Sequence, residues 1–306
     1  MKPKQNIFLV IVAFLIFVIF IQQNNPLVET AIAKVESKNR AEKRAYLFYA
    51  TSKPYACSVM VFAERFKLFK KDPSIDILAL VSGLDESTLN KMNSLGIKTS
   101  HVDIHSATGD KNSENRERYK ESNTKLHIFK DWGYDKFVYL DADSLLMTNI
   151  DDLFDLPETK LFWAPRAFWL SEKYQPAFTT VLIVGKPSKK IYEDSIQLSK
   201  KENSMYDMDI LNKLYRHQVG LLPSIYGLLN RNILYQSELP AEYCGDLTQV
   251  KKDLKLVHFT SAISATGIYG KPWSQPRKKP ENIQPDTELY FELFEAFFSL
   301  YDRVCP

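Results

Sequence analysis

Several features that mark other protein classes are scarce or absent in this sequence. The 306 residues include only three cysteines, Cys57, Cys244 and Cys305. They allow at most one internal disulfide, and their spacing does not match a zinc site. Forty basic and 37 acidic side chains leave a net charge of +3, which is too balanced to indicate a nucleic-acid-binding surface. No glycine-rich loop of the dinucleotide-binding or P-loop type is present, so ATP or NAD chemistry on such loops is not supported.

The longest apolar run lies close to the N-terminus. Residues 7–21 contain no polar side chain and follow Lys2 and Lys4. The run is shorter than the roughly 20 residues that cross an average bilayer, but short spans suit thinner secretory membranes. Because the positive charges precede the run, we expect a cytosolic tail at 1–6, a signal-anchor helix and type II topology. Residues 22–44 are polar and weakly patterned, as is typical of a lumenal stem.

A cleaved signal peptide is the alternative for this segment. Ala31 and Ala33 form a small-residue pattern of the kind that precedes a cleavage site. This pattern lies far beyond the apolar run, whereas a cleavage site normally follows it closely. The sequence therefore favours an anchor that is retained in the membrane.

From residue 45 onward, short apolar runs alternate with helical patterns. We predict strands at 46–50, 77–81, 137–140, 181–184 and 255–259. We predict helices at 55–69, 86–93, 123–132, 207–216 and 288–301. This alternation predicts an α/β domain over residues 45–306, with a mostly parallel, Rossmann-like sheet flanked by helices.

Two carboxylates directly follow the apolar strand predicted at 137–140. Asp141 and Asp143 are two residues apart, so both side chains can face the same side. They lie at the strand end where open α/β sheets bind their ligands. A divalent cation would relieve the repulsion between them and could also bind a diphosphate. An Asp-x-Asp alone is weak evidence, but the buried strand before it and the turn and short helix predicted at 149–154 strengthen it.

Further motifs surround the two aspartates in a definite order. They are NTKLH at 123–127, FVYLDADSLLMTNIDDLF at 137–154, VHF at 257–259 and KPW at 271–273. Together they resemble the glycogenin-like family 8 of retaining glycosyltransferases, from about residue 46 to residue 273. This resemblance implies a GT-A fold, a UDP-sugar donor and a manganese ion bound by Asp141, Asp143 and His258. Without it, His258 would be interpreted as a core histidine.

The resemblance also implies which residues contact the donor. Arg116, Lys125 and Lys271 match family residues that contact the diphosphate, although each could otherwise be an ordinary surface charge. The residues that match the uracil and ribose site are Thr51, Ser52 and Tyr55. Tyr55 offers a ring face for stacking, but could equally be a core residue at a helix start.

Two segments depart from the family pattern. Thr179 and Thr180 replace a glycogenin motif before a strand, and Ser204 replaces one of two carboxylates. The second carboxylate is retained as Asp207, with Asp209 close by. We expect Asp207 to lie nearest the anomeric carbon, where it orients the acceptor or stabilises an oxocarbenium-like transition state. The alternative is a helix-terminal acid that complements the helix dipole.

An anchored lumenal enzyme is similar to the fungal Golgi members of this family, which transfer N-acetylglucosamine to mannose-containing N-linked glycans. The expected partners are a UDP-sugar, a glycan or glycoprotein acceptor and the membrane, whereas the oligomeric state stays open. One alternative is a transferase for UDP-glucose, UDP-galactose or UDP-glucuronate. Another is a catalytically silent lumenal binding or assembly protein, which the intact Asp141, Asp143 and His258 set disfavours.

Overall fold

The computed structural model describes residues 41–108, 119–260, 270–274 and 288–305. The predicted tail, the anchor, most of the stem and Arg116 lie outside these ranges. In the described ranges, no helix has the length and apolar character needed to cross a bilayer. A compact unit extends from Lys43 to the C-terminus.

A seven-stranded sheet forms the centre of this unit. Its strands are β1 (Arg44–Ala50), β2 (Asp76–Val81), β3 (Ile97–His101), β4 (Lys136–Leu140), β6 (Phe162–Pro165), β7 (Leu182–Gly185) and β8 (Gly220–Leu222). Their order is β3-β2-β1-β4-β7-β6-β8. The first four are parallel to one another, β7 is antiparallel to both of its neighbours, and β6 is parallel to β8. The prediction of a mostly parallel α/β sheet is therefore confirmed.

A second, three-stranded sheet contains β5 (Ser144–Leu146), β9 (Leu228–Leu229) and β10 (Leu256–His258). Strand β10 is antiparallel to β5 and parallel to β9. In this register, His258 is paired with Ser144. The small sheet thus brings a residue from late in the chain next to the turn that follows β4.

Seven α-helices occur in the described part of the chain. They are α1 (Lys53–Leu68), α2 (Glu86–Ser94), α3 (Lys189–Lys201), α4 (Asp207–Tyr215), α5 (Asn230–Leu234), α6 (Leu247–Asp253) and α7 (Glu288–Val304). Shorter 3-10 helices are formed by Ser122–Phe129, Asp151–Asp155, Glu172–Tyr174, Ser224–Tyr226, Gln236–Glu238, Ala241–Tyr243 and Pro272–Ser274. Side chains that accept a backbone N–H bond at the helix start define where α2, α3 and α6 begin, as N-cap residues typically do.

Both faces of the large sheet are buried, which explains the unbroken apolar runs of its central strands. On β1, Tyr46 and Phe48 pack on the side of α1 and α7, whereas Ala45 and Leu47 pack on the side of α3 and α4. All four side chains are essentially inaccessible to solvent. The core therefore has three layers, with the sheet in the middle.

The structure corrects several details of the predicted elements. The helix predicted at 123–132 is a 3-10 helix over Ser122–Phe129, and it ends there because Lys130 adopts an extended backbone. Val181 lies just before β7, where its carbonyl accepts a 2.8 Å bond from the backbone N–H of Asp141. Strands β3, β5, β6, β8 and β9 and helices α3, α5 and α6 were not predicted, since most are short or lack a clear apolar period.

A disulfide between Cys57 and Cys305 joins two helices that are far apart in sequence. Cys57 lies in α1, and Cys305 follows the last residue of α7, 248 positions later. Cys244 is an exposed free cysteine. The one internal disulfide that three cysteines allow is thus present, and it links the C-terminal helix to the helix that follows β1.

Candidate active site

A cleft of about 570 Å³ opens where the parallel strands β1 and β4 end. Ligand sites in open α/β sheets lie at this edge. Nine of the ten predicted site residues line the cleft: Thr51, Ser52, Tyr55, Lys125, Asp141, Asp143, Asp207, His258 and Lys271. The tenth, Arg116, is outside the described residues.

Asp141, Asp143 and His258 form a compact group in the cleft. Their ligand atoms all lie within 4.8 Å of one another. The His258 Nε2 atom is 3.3 Å from Asp143 Oδ1 and 3.9 Å from Asp141 Oδ2. Backbone bonds hold this arrangement: Asp141 N–H donates to Val181, and Phe259 N–H donates to Asp143 at 2.9 Å.

The chemistry of this group fits a divalent cation. Burial is the largest influence on His258 and lowers its pKa to about 4, so the imidazole is neutral at physiological pH and can donate a lone pair. Two carboxylates and one imidazole are a suitable ligand set for manganese. The Lys271 ammonium contacts Asp143, so a positive charge already faces this carboxylate.

Lys125 is buried at the floor of the cleft and joins the first aspartate to Asp207. Its Nζ atom lies 2.9 Å from an oxygen of Asp141 and 2.9 Å from Asp207 Oδ2. Burial alone would lower the pKa of Lys125, but the two carboxylates outweigh burial and raise it. Burial would likewise raise the pKa of Asp141, yet Lys125 and the other partners lower it. Both groups therefore stay charged inside the protein.

Asp207 is the first residue of α4 and also belongs to the Lys125 network. Its Oδ2 atom accepts a 2.6 Å bond from the Thr180 hydroxyl in addition to the contact with Lys125. Asp209 is placed differently, because its Oδ2 atom accepts the backbone N–H of Tyr206 at 3.2 Å and closes a capping box. Asp207 is therefore the carboxylate that Lys125 connects to Asp141, whereas Asp209 caps the helix.

Another part of the cleft wall contains the residues predicted to bind the nucleoside. Thr51 and Ser52 connect β1 to α1, and Ser52 precedes the first residue of that helix. The Tyr55 ring meets the Trp273 ring edge to face, with centroids 4.8 Å apart. Lys271 Nζ lies 5.8 Å from the centre of the Tyr55 ring. The turn after β1 and the Lys-Pro-Trp segment thus lie on the same wall.

Several residues in and around the cleft were not predicted from the sequence. Thr180 contacts Lys125 through both its hydroxyl and its carbonyl, at 3.2 and 3.3 Å. The Tyr139 hydroxyl donates to Asp141, although its position in an apolar strand suggested only core packing. Trp169 and Tyr119 also line the cleft. No motif or periodicity marked Trp169 or Tyr119, and Thr180 was noted only as a departure from the family pattern.

If Asp141, Asp143 and His258 bind manganese, as the family resemblance implies, replacing His258 with alanine should raise the manganese concentration needed for activity. We expect half-saturation to need about 10 to 100-fold more manganese, because loss of a ligand or of its support typically weakens metal binding by that factor. A manganese titration of UDP-sugar turnover measures the change, and high manganese should restore part of the rate.

His127→Ala is the matched control for this substitution. His127 is also buried, but its ring bonds to the Asp103 carbonyl at 3.2 Å and it does not line the cleft. Its loss should lower the melting temperature and leave the manganese dependence unchanged. If His258→Ala behaves in the same way, His258 is a core residue and not a ligand.

Comparison with known proteins identifies the class to which this cleft belongs. The galactosyltransferase LgtC, crystallised with donor and acceptor sugar analogues, superposes with a TM-score of 0.59 at 16% identity, covering 85% of this chain and 95% of that one. At this identity the likeness establishes a shared GT-A-like fold. Residues 46–181 match the family model described as Glycosyl transferase family 8. The protein is a glycosyltransferase.

Curated relatives agree with this assignment. Glucose N-acetyltransferase 1 of Aspergillus fumigatus is 27% identical over 304 residues, covering 86% of this chain and 77% of that protein. Human glycogenin-1 is 32% identical over 158 residues, which are 49% of this chain and 39% of that protein. The match of residues 46–181 to the family 8 model agrees with the glycosyltransferase family that the motifs predicted.

Proposed function

We propose that this protein is a manganese-dependent retaining transferase that uses a UDP-sugar. The observation that carries the proposal is the meeting of Asp141, Asp143 and His258 with the Lys125–Asp207 pair in one cleft. Residues that only stabilised the fold would have no reason to direct two carboxylates and a neutral imidazole into one cavity at the ligand-binding edge of the sheet.

The cationic residues of the cleft suit a diphosphate. The ammonium groups of Lys125 and Lys271 line the cleft. Lys125 contacts Asp141, and Lys271 contacts Asp143. When bound to Asp141, Asp143 and His258, manganese would offset the charge that develops on the departing diphosphate. The two lysines would add fixed positive charge beside it, which stabilises the same developing negative charge.

Asp207 supplies the negative charge that the reacting sugar requires. Lys125 and the Thr180 hydroxyl hold its carboxylate in one orientation. A carboxylate fixed in this way can stabilise an oxocarbenium-like transition state or orient the attacking hydroxyl. The acceptor then replaces UDP with retention of configuration, which yields an α-linkage.

For the donor, we propose UDP-N-acetylglucosamine, with a mannose-containing N-linked glycan as acceptor. Support comes from the likeness to fungal proteins named glucose N-acetyltransferase 1, and from the family resemblance of the sequence around Asp207. UDP-glucose, UDP-galactose and UDP-glucuronate are the alternatives. A catalytically silent protein with this fold is disfavoured because the three ligand-type residues converge.

We further propose that the catalytic domain faces the Golgi lumen and is anchored by residues 7–21. The apolar run after Lys2 and Lys4 supports this topology. The Cys57–Cys305 disulfide supports it independently, because disulfides persist in oxidising compartments and are rare in the cytosol. Protease digestion of a C-terminal reporter in intact vesicles would contradict lumenal placement.

A panel of donors tests the proposed function. The purified lumenal part is incubated with manganese and each of the four UDP-sugars, and released UDP is measured with and without a mannose-terminated oligosaccharide. We expect manganese-dependent release from UDP-N-acetylglucosamine that increases with the acceptor. If UDP is released from only one of the other donors, that donor replaces UDP-N-acetylglucosamine in the proposal. If no UDP is released from any donor, the proposed activity is contradicted.

A further inference from the structure

A second cavity of about 790 Å³ adjoins the donor cleft. Four residues line both spaces: Tyr119, Trp169, Leu229 and Thr260. The rest of its wall is formed largely by the segment after β6 and by residues 231–242, neither of which contributes a predicted site residue. Its volume lies within the range of about 300 to 1,000 Å³ that is usual for ligand sites. A molecule in this cavity would therefore meet the donor along a shared wall.

Trp169 provides an aromatic surface at the junction of the two spaces. The residue lies after β6 and is 36% exposed, so its ring is accessible to a ligand. Its ring packs edge to face against Phe168, with centroids 5.1 Å apart, so its orientation is held from one side. Sugar rings have apolar C–H faces that can pack on such an aromatic ring, while their hydroxyls remain free for hydrogen bonds.

Asn232 lines the same cavity and has a buried side-chain oxygen that can accept a hydrogen bond. The residue is 1% exposed, and its Nδ2 atom donates to the Glu238 carbonyl at 3.0 Å. Its Oδ1 atom is buried and has no hydrogen-bond partner among the described residues. A buried acceptor without a partner is unfavourable, and a ligand hydroxyl that donates to it would relieve this cost.

The charges of the cavity cancel. Arg231 forms a two-pronged contact with Glu238, through Nε at 2.9 Å and Nη2 at 2.7 Å. Arg166 and Glu242 add one further charge of each sign to the wall. Two arginines and two glutamates give no net charge that would select an ionic ligand. The bidentate pair instead presents fixed polar groups, which suit neutral hydroxyls.

We propose that this cavity is the acceptor subsite and takes the end of a neutral oligosaccharide. One sugar ring packs on Trp169, and a hydroxyl donates to Asn232 Oδ1. The assignment rests on the proposed function. In the transfer, the acceptor oxygen bonds to the anomeric carbon of the donor. The bond from that carbon to UDP breaks with its electrons on the diphosphate, which also receives the hydroxyl proton.

Kinetics of Trp169 variants test this assignment. Acceptor and donor KM are measured for the wild type, Trp169→Ala and Trp169→Phe, with a mannose-terminated oligosaccharide, a maltooligosaccharide and an unglycosylated peptide as acceptors. Aromatic packing worth about 1.5 kcal/mol corresponds to about a tenfold change in affinity. We therefore expect Trp169→Ala to raise the acceptor KM about tenfold and Trp169→Phe to restore most of the loss. Donor KM should change much less.

Two further variants complete the experiment. Tyr174→Ala removes an aromatic residue that is 49% exposed and does not line this cavity, and it should leave the acceptor KM unchanged. Asn232→Ala should also raise the acceptor KM, with its melting temperature recorded because the Nδ2 bond is lost as well. If Asn232→Ala does not fold, the Trp169 variants still test the assignment, because Trp169 is exposed and its replacement should not disturb the core.

The possible outcomes separate this inference from the proposed function. UDP release by the wild type together with an unchanged acceptor KM in Trp169→Ala would overturn the acceptor subsite and leave the function standing. Transfer to the peptide but to neither oligosaccharide would overturn the saccharide assignment. No release of UDP from any donor would overturn the proposed function and this inference with it.

Discussion

Asp143→Asn is expected to reduce sugar transfer by at least about 10³-fold while the protein stays folded. A bound metal supplies several kcal/mol of charge stabilisation, and each 1.4 kcal/mol corresponds to about a tenfold change in rate. The asparagine keeps the shape of the side chain but removes the charge that faces His258 and Lys271. The backbone bond from Phe259 to Asp143 is unaffected. Turnover at saturating manganese and circular dichroism on the same preparation measure both effects.

Asp155→Asn is the matched control for this substitution. Its side chain is 70% exposed, it pairs with Arg44 at 3.1 Å, and it lies outside the cleft. Exposed ion pairs contribute about 0–1 kcal/mol, so this variant should keep both its activity and its stability. Manganese-dependent activity close to that of the wild type in Asp143→Asn would rule out a metal site built on this residue.

Asp207→Asn is expected to lower kcat by about 10²–10³-fold with little change in the manganese requirement. Loss of one preorganised electrostatic group typically has an effect of this size. The amide cannot supply the negative charge that Lys125 and the Thr180 hydroxyl now orient. Steady-state kinetics over a manganese series separates this outcome from the loss of a metal ligand, which would raise the manganese requirement.

Asp209→Asn distinguishes the two neighbouring acids of α4. Asp209 caps the helix through the Tyr206 N–H and has no contact with Lys125 among those described. The amide oxygen of asparagine can still accept the Tyr206 N–H, so this substitution should leave stability nearly unchanged and reduce kcat only slightly. If Asp209→Asn lost far more activity than Asp207→Asn, the catalytic role would have to be assigned to Asp209 instead of Asp207.

The local part of the site could be predicted from the sequence. Asp141 and Asp143 directly follow a buried strand, and the strand periodicity together with the position of its end is sufficient to place both carboxylates at the ligand edge. The large sheet was predictable for the same reason, since β1, β2 and β4 are continuous apolar runs. Short-range patterns carry this information because each depends on neighbouring residues only.

The long-range part of the site could not be derived from local patterns. His258 meets Asp143 through the pairing of β10 with β5, and β5 has only three residues and was not predicted. Only the family resemblance connected these residues beforehand. Trp169 and Asn232 belong to a loop and a short helix whose sequence has no period that marks a binding surface. Their role depends on which segments meet in space.

Calorimetric titration with UDP, in manganese and in EDTA, tests the central claim most directly. The claim is that Asp141, Asp143 and His258 hold a divalent cation to which the donor diphosphate binds. We predict saturable UDP binding in manganese that is lost in EDTA and in Asp143→Asn, and that is retained in Asp155→Asn. UDP binding of equal affinity in manganese and in EDTA would contradict the claim.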